Sequence, residues 1–187
     1  MSPEKRSPAS RIGALERRLA RLEDEKAVVD RLQRYCIALD AGDKAEFLDC
    51  FTLDHVRSGA PAGRWSIPGE YRYEGIEAMG YYFDRHTHAP DLMHLHLLGQ
   101  PVVEVDGDTA HAYSYLVRFD ESPDGPYVDA IATYDDELVR CADGAWRIRV
   151  RKVAILGWLD RETSARVAAE VRSRSPRPAP KGSTPAI

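Results

Sequence analysis

The chain has 187 residues, 43% of them hydrophobic and 30% charged, with a formal net charge of −4. That length suits one domain with a real core, and the acidic balance excludes the basic surface that nucleic-acid binding requires. No apolar run reaches the length of a membrane span, and MSPEKRSPASR lacks the apolar core of a secretory leader. The expectation is therefore a cytoplasmic protein with neither membrane nor nucleic acid as partner.

Residues 1–10 are polar and rich in Pro and Ser, and are expected to be disordered. From Arg11 to about Asp40 the spacing predicts a long helix, with Leu15, Leu19, Leu22, Val29, Leu32, Cys36 and Leu39 recurring at three- and four-residue steps. Its first half is densely charged, so it packs only a narrow stripe, on the body or on a neighbouring subunit. Gly42 ends this helix, and Asp43 caps a short second one running through Phe47, Leu48 and Phe51. From His55 to Arg72, Gly and Pro interruptions predict a short strand and a loop around Arg64-Trp65, before a third helix from Gly75 to about Arg85.

Strands follow. Met93–Val105 runs into the turn Asp106-Gly107-Asp108, Thr109–Phe119 into a turn at 121–126, Tyr127–Val139 into Ala142-Asp143-Gly144, and Trp146–Leu156 closes an antiparallel meander. Residues 160–173 add a helix, and the remaining tail is disordered by composition. Helices first and strands after is an α+β order. A strongly curved antiparallel sheet wrapped around the N-terminal helices would enclose a blind, mostly apolar small-molecule cavity. Cys36, Cys50 and Cys141 are odd in number and widely spaced, which fits reduced thiols.

His96, in an apolar strand, and Asp40, at a helix end, are the candidate chemistry: a carboxylate fixes the tautomer of an imidazole that titrates near neutrality. An acid at a helix C-terminus opposes the dipole, which singles Asp40 out. Strand alternation puts Leu92, His94, His96 and Leu98 on one face, with His94 at the cavity rim. Tyr35 stands about 140° round the helix from Asp40. Arg151 falls by strict alternation with Arg147 and Arg149, opposite Trp146, Ile148 and Val150, and only a bulge or strong curvature would turn it inward. Asp120 sits beside a turn. His86, His88, His94 and His96 form His-x-His pairs, but no cysteine or carboxylate cluster completes a set and Ala89-Pro90-Asp91 separates the pairs, so neither metal nor cofactor is expected. Trp65, Tyr115, Leu98 and His94 are the candidates for substrate contact, and the aromatic supply suits a flat, aromatic or polycyclic ligand.

The segment Tyr35–Asp43 with Phe51-Thr52, then His96–Pro101, Val105–Ala110 and Gly144–Ile148, resembles in order the SnoaL-like proteins of the nuclear-transport-factor-2-like superfamily, over residues 26–160. Residues 1–25 then read as a charged helical arm and 161–187 as a C-terminal helix and tail. The resemblance implies a cone-shaped α+β barrel that assembles as a homodimer or homotrimer through its exposed sheet face. The superfamily includes scytalone dehydratase, bile-acid 7α-dehydratase, hexachlorocyclohexane dehydrochlorinase, ketosteroid isomerase and polyketide cyclases. The dehydratase branch is the most similar. It implies Asp40 and His96 as the catalytic pair, Tyr35 as a catalytic tyrosine, Asp120 where that branch has an acid or a second histidine, and Arg151 near a kept arginine. Arg57-Ser58-Gly59 stands where scytalone dehydratase has paired tyrosines, and the loop of residues 60–70 is longer. The activity so implied is a cofactor-independent lyase on a small hydrophobic hydroxy-ketone or polyketide-like substrate. A cyclase or isomerase, an epoxide hydrolase using Asp40, Arg151 and Asp120, and a non-catalytic binding protein are the alternatives.

Overall fold

The structure, a computed structural model, describes residues 8–53, 63–67, 71–86, 88–89 and 92–158. The predicted 160–173 helix, the tail and residues 54–62 lie outside them. Helix α1 (Pro8–Ala41) buries only the second half of the predicted stripe, Leu32, Cys36 and Leu39, together with Val28 and Tyr35, while Leu15, Leu19 and Leu22 are exposed. Gly42 ends it at φ +73°, where a Cβ would stand 2.7 Å from the Ala89 carbonyl oxygen, so glycine is required on both counts. Asp43 caps α2 (Lys44–Asp49), its carboxylate accepting from the Glu46 N–H at 3.0 Å.

Strands β1 (Arg64–Ile67) and β2 (Tyr71–Glu74) precede α3 (Gly75–Arg85). The rest is β3 (His94–Leu98), β4 (Val102–Asp106), β5 (Thr109–Ser122), β6 (Gly125–Arg140) and β7 (Trp146–Trp158). The predicted single strand Met93–Val105 is thus two, parted at Gly99-Gln100-Pro101, where Pro101 has no N–H for a ladder. Both pair with β5, β3 along its second half and β4 along its first. The sheet order is β2-β1-β7-β6-β5-β3, curved and unclosed. It is not wholly antiparallel as expected: β1 runs parallel to β7, and Phe51 adds a parallel bridge to Ile148.

The curvature has visible causes. The ladders skip Asp129 on β6 and Arg149 and Leu156 on β7, three bulges that each bend a strand and shift its alternation by one. The bulge at Arg149 corrects the expectation for Arg151. Trp146 and Ile148 face the core before it; Arg151 and Val153 face the core after it. There Arg151 is fully buried and bonded twice to Asp136, Nε to Oδ1 and Nη2 to Oδ2, both at 2.7 Å. The rings of Tyr35 and Tyr134 cover its guanidinium at 4.1 and 3.9 Å. Burial pushes the Asp136 carboxyl above its usual range against the pull of Arg151.

Removing one partner of such a pair strands the other charge in the core. Arg151→Met is expected to lower unfolding stability by about 3–5 kcal/mol, measured by urea denaturation, and Arg151→Met with Asp136→Leu to recover most of the loss.

Candidate active site

Helix α1 delivers Asp40 one residue before its C-terminus, against the start of β3. The carboxylate grips His96 twice: Oδ1 lies 2.6 Å from ring Nδ1, and Oδ2 accepts from the His96 backbone N–H at 2.9 Å. With Nδ1–H donating to Asp40, the imidazole presents Nε2 to the cavity that His96 lines. Burial holds the His96 ring well below the usual histidine range, reinforced by His94 and Arg118. Burial likewise raises Asp40 to about 6, while the backbone N–H of His96 works against that rise. Near neutrality the pair is therefore carboxylate plus neutral imidazole, the form that accepts a proton.

A second pair stands beside the first. His94 and Asp120 are register partners on β3 and β5, with Nδ1 to Oδ1 at 2.5 Å. Burial pushes Asp120 up, but the His94 bond and Arg118 leave it below the usual carboxylate value. The His94 side chain is entirely buried, so the residue expected at the rim is interior, and its Nε2 has no hydrogen-bond partner. The expectation that the turn keeps His86 away from β3 is also corrected. His86, at the end of α3, brings its ring to 4.6 Å from that of His94 and 5.5 Å from that of His96. One nitrogen from each of the three lies within 4.8 Å of the others, a set able to hold a metal ion.

The cavity measures about 200 Å³. Trp65, Tyr73, Tyr82 and Tyr134 form an aromatic wall, in which Trp65 stacks on Tyr82 at 4.7 Å. The Trp65 indole Nε1 is buried without a partner beside this space, and Arg118 brings a cation to it.

Other expected residues fall elsewhere. Tyr115 is 61% exposed on the outer face, because alternation along β5 turns Ser114 and Leu116 inward and Tyr115 out, which rules it out as a cavity contact. Leu98 belongs to the buried core. Tyr35 is buried behind Tyr134 and Phe47, outside the cavity lining, and its burial holds the phenol protonated well above the usual range. Arg151 bonds Asp136 and does not join Asp40 and Asp120. Arg118 and Asp136 carry no expectation from the sequence, and His86 enters there only within a His-x-His pair. Signals existed for two of them: Asp135-Asp136-Glu137 in one strand must turn an acid inward, and Arg118 shares the parity of Ser114 and Leu116.

The SnoaL-like domain family matches residues 20–152, and the chain belongs to that family. Among curated proteins none matches the sequence. An NTF2-like protein of Novosphingobium aromaticivorans with a cystatin-like fold is 28% identical, with a TM-score of 0.66 over 81% of this chain and 92% of that one. Rv3472 of Mycobacterium tuberculosis, of unknown function, is 25% identical, with a TM-score of 0.65 over 81% and 88%. A further Novosphingobium aromaticivorans protein, provisionally named a scytalone dehydratase, shares the fold at 17% identity, with a TM-score of 0.61 over 75% and 89%. The family includes enzymes, scytalone dehydratase and polyketide cyclases among them. No described helix is long and apolar enough to cross a membrane.

Raising the Asp40 pKa above its unfolded value makes its ionisation in the fold costly. That contribution to stability is present at low pH and is lost as pH rises towards about 6. The melting temperature of Asp40→Asn relative to wild type is therefore expected to climb between about pH 4 and pH 7, followed by differential scanning calorimetry.

Proposed function

We propose that the protein is a cofactor-independent lyase that dehydrates a small, flat hydroxy-ketone, with His96 as the base. The observation that carries this reading is the His96–Asp40 pair, its ring neutral and its Nε2 directed at an aromatic cavity of about 200 Å³. His96 Nε2 takes the proton from the carbon next to the carbonyl, and the electron pair moves onto the carbonyl oxygen as an enolate. In this reading that oxygen is received by the Trp65 Nε1–H, which has no hydrogen-bond partner among the described residues, with Arg118, itself paired with Asp129, on the same cavity lining. As the enolate collapses, the C–O bond on the neighbouring carbon breaks. The hydroxyl leaves as water with the proton from the His96 imidazolium, giving an enone.

Asp120 is held ionised by His94 and Arg118, so it serves this scheme by orienting His94 and not as the proton donor. Tyr35 supports the wall from behind. An isomerase or cyclase would share the first step and differ in the fate of the enolate.

Turnover of aryl β-hydroxy ketones, followed by enone absorbance, tests the reading. His96→Ala is expected to lose about 10³-fold in kcat and Asp40→Asn about 10²-fold. Trp65→Phe, which keeps the stack on Tyr82, is expected to lower kcat by about tenfold at little changed KM. The acid limb of the rate profile should follow the Asp40 carboxyl, at about 6, since the His96 ring titrates lower, with a plateau through neutrality. Full turnover is expected after chelation; loss restored by zinc would replace this reading with one centred on the three imidazoles.

A further inference from the structure

The N-terminal part of α1 stands clear of the body. Ion pairs and hydrogen bonds to the sheet begin at Asp24, which receives Arg140 at 2.7 Å and the Trp146 indole at 3.3 Å, and Arg21 lines a groove with Glu104, Asp106 and Arg149. Before Asp24, residues 8–23 make about 24 Å of helix whose side chains are mostly exposed. Four large apolar side chains on this arm are exposed: Ile12 (57%), Leu15 (64%), Leu19 (57%) and Leu22 (56%). Their spacing of three, four and three is the a and d pattern of a heptad, with Ile12 and Leu19 at a and Leu15 and Leu22 at d. At about 100° per residue, this stripe lies about 150° round α1 from the face that buries Val28, Leu32, Tyr35 and Leu39. The body therefore cannot cover it.

The flanking charges name the occupant. In this register Arg11 and Arg18 take g positions, and Glu16 and Glu23 take e positions. Two parallel copies bring g of one chain against the following e of its partner, so Arg11 meets Glu16 and Arg18 meets Glu23, twice over by symmetry. Antiparallel copies would set arginine against arginine and glutamate against glutamate. Among the described residues none of these four charges is engaged within its own chain, whereas Arg21 and Glu25, just outside the seam, pair with each other at 2.8 Å. Lys26, at the next a position and bonded to Asp30, ends the seam where the body begins. We infer that residues 8–23 form a parallel two-stranded coiled coil with the arm of a second copy of this chain. Two heptads are marginal on their own in water, but this helix grows out of a folded body, so its costly nucleation is already met.

Cross-linking of the full chain tests this. Cys36, Cys50 and Cys141 are buried, leaving an introduced thiol as the reactive one. Leu15→Cys is expected to form an interchain disulfide about tenfold or more faster than Arg17→Cys, which points away from the seam. Mixing a Leu15→Cys chain carrying Arg11→Glu and Arg18→Glu with one carrying Glu16→Arg and Glu23→Arg should give predominantly the mixed dimer. Equal rates at positions 15 and 17, or a statistical mixture of dimers, would overturn the proposal. All of these positions are exposed on the arm, so an unchanged thermal melt establishes that the body stays folded.

Discussion

The ion pair between Arg151 and Asp136 is the constraint on which the interior is arranged. A fully buried guanidinium and a fully buried carboxylate are tolerable only as a bidentate pair, since either alone would forfeit its solvation without return. The pair ties β7 to β6 at their centre, and its remaining surface is met by rings instead of hydrogen bonds: Arg151 Nη1 has no hydrogen-bond partner and lies between Tyr35 and Tyr134. Tyr35 is thereby placed on the inner face of α1. Tyr134 lines the cavity while Arg151 does not, so part of the cavity wall is set by a charge outside it.

How that charge comes to be inside explains what the sequence could and could not reveal. The helices were readable from apolar spacing, from Gly42 and from Asp43, because each of those signals is local. Asp40 and His96 were readable as a candidate pair because one occupies an unfavourable helix end and the other an apolar strand. Arg151 was not placed by alternation, because one residue inserted into a ladder reverses every later side chain, and no residue type marks Arg149 as that insertion. The same blindness applies to His86. Its approach to His94 and His96 depends on the path from α3 back to β3, which short-range patterns do not encode. The parallel pairing of β1 with β7 is a third case, since partner and direction are tertiary choices. Tyr115 faces outward for a simpler reason: strand parity, not aromatic type, decides which face a side chain takes.

Both histidines of β3 use the same device. Each gives its Nδ1 to a carboxylate from a different element, Asp40 from α1 and Asp120 from β5, which fixes the ring plane and leaves Nε2 as the nitrogen not committed to a carboxylate. The environments then separate them. Asp120 is lowered by His94 and Arg118, whereas at Asp40 burial outweighs the His96 backbone N–H and His94 and lifts it to about 6.

That difference suits Asp40 to the ring that changes charge. Its carboxylate is poorly solvated, and it stands at a helix C-terminus, where the dipole adds a further cost of about 0.3–1 kcal/mol. When His96 takes a proton, the nearest group to the new positive charge is this under-compensated anion at 2.6 Å. In the reaction we propose, this interaction would be stronger once the proton has been abstracted than in the resting state, which is the condition for an interaction to lower a barrier and not merely to tighten a ground state. Placing the anion on a helix end, where folding alone would not choose it, converts a local instability into stabilisation of the charged ring.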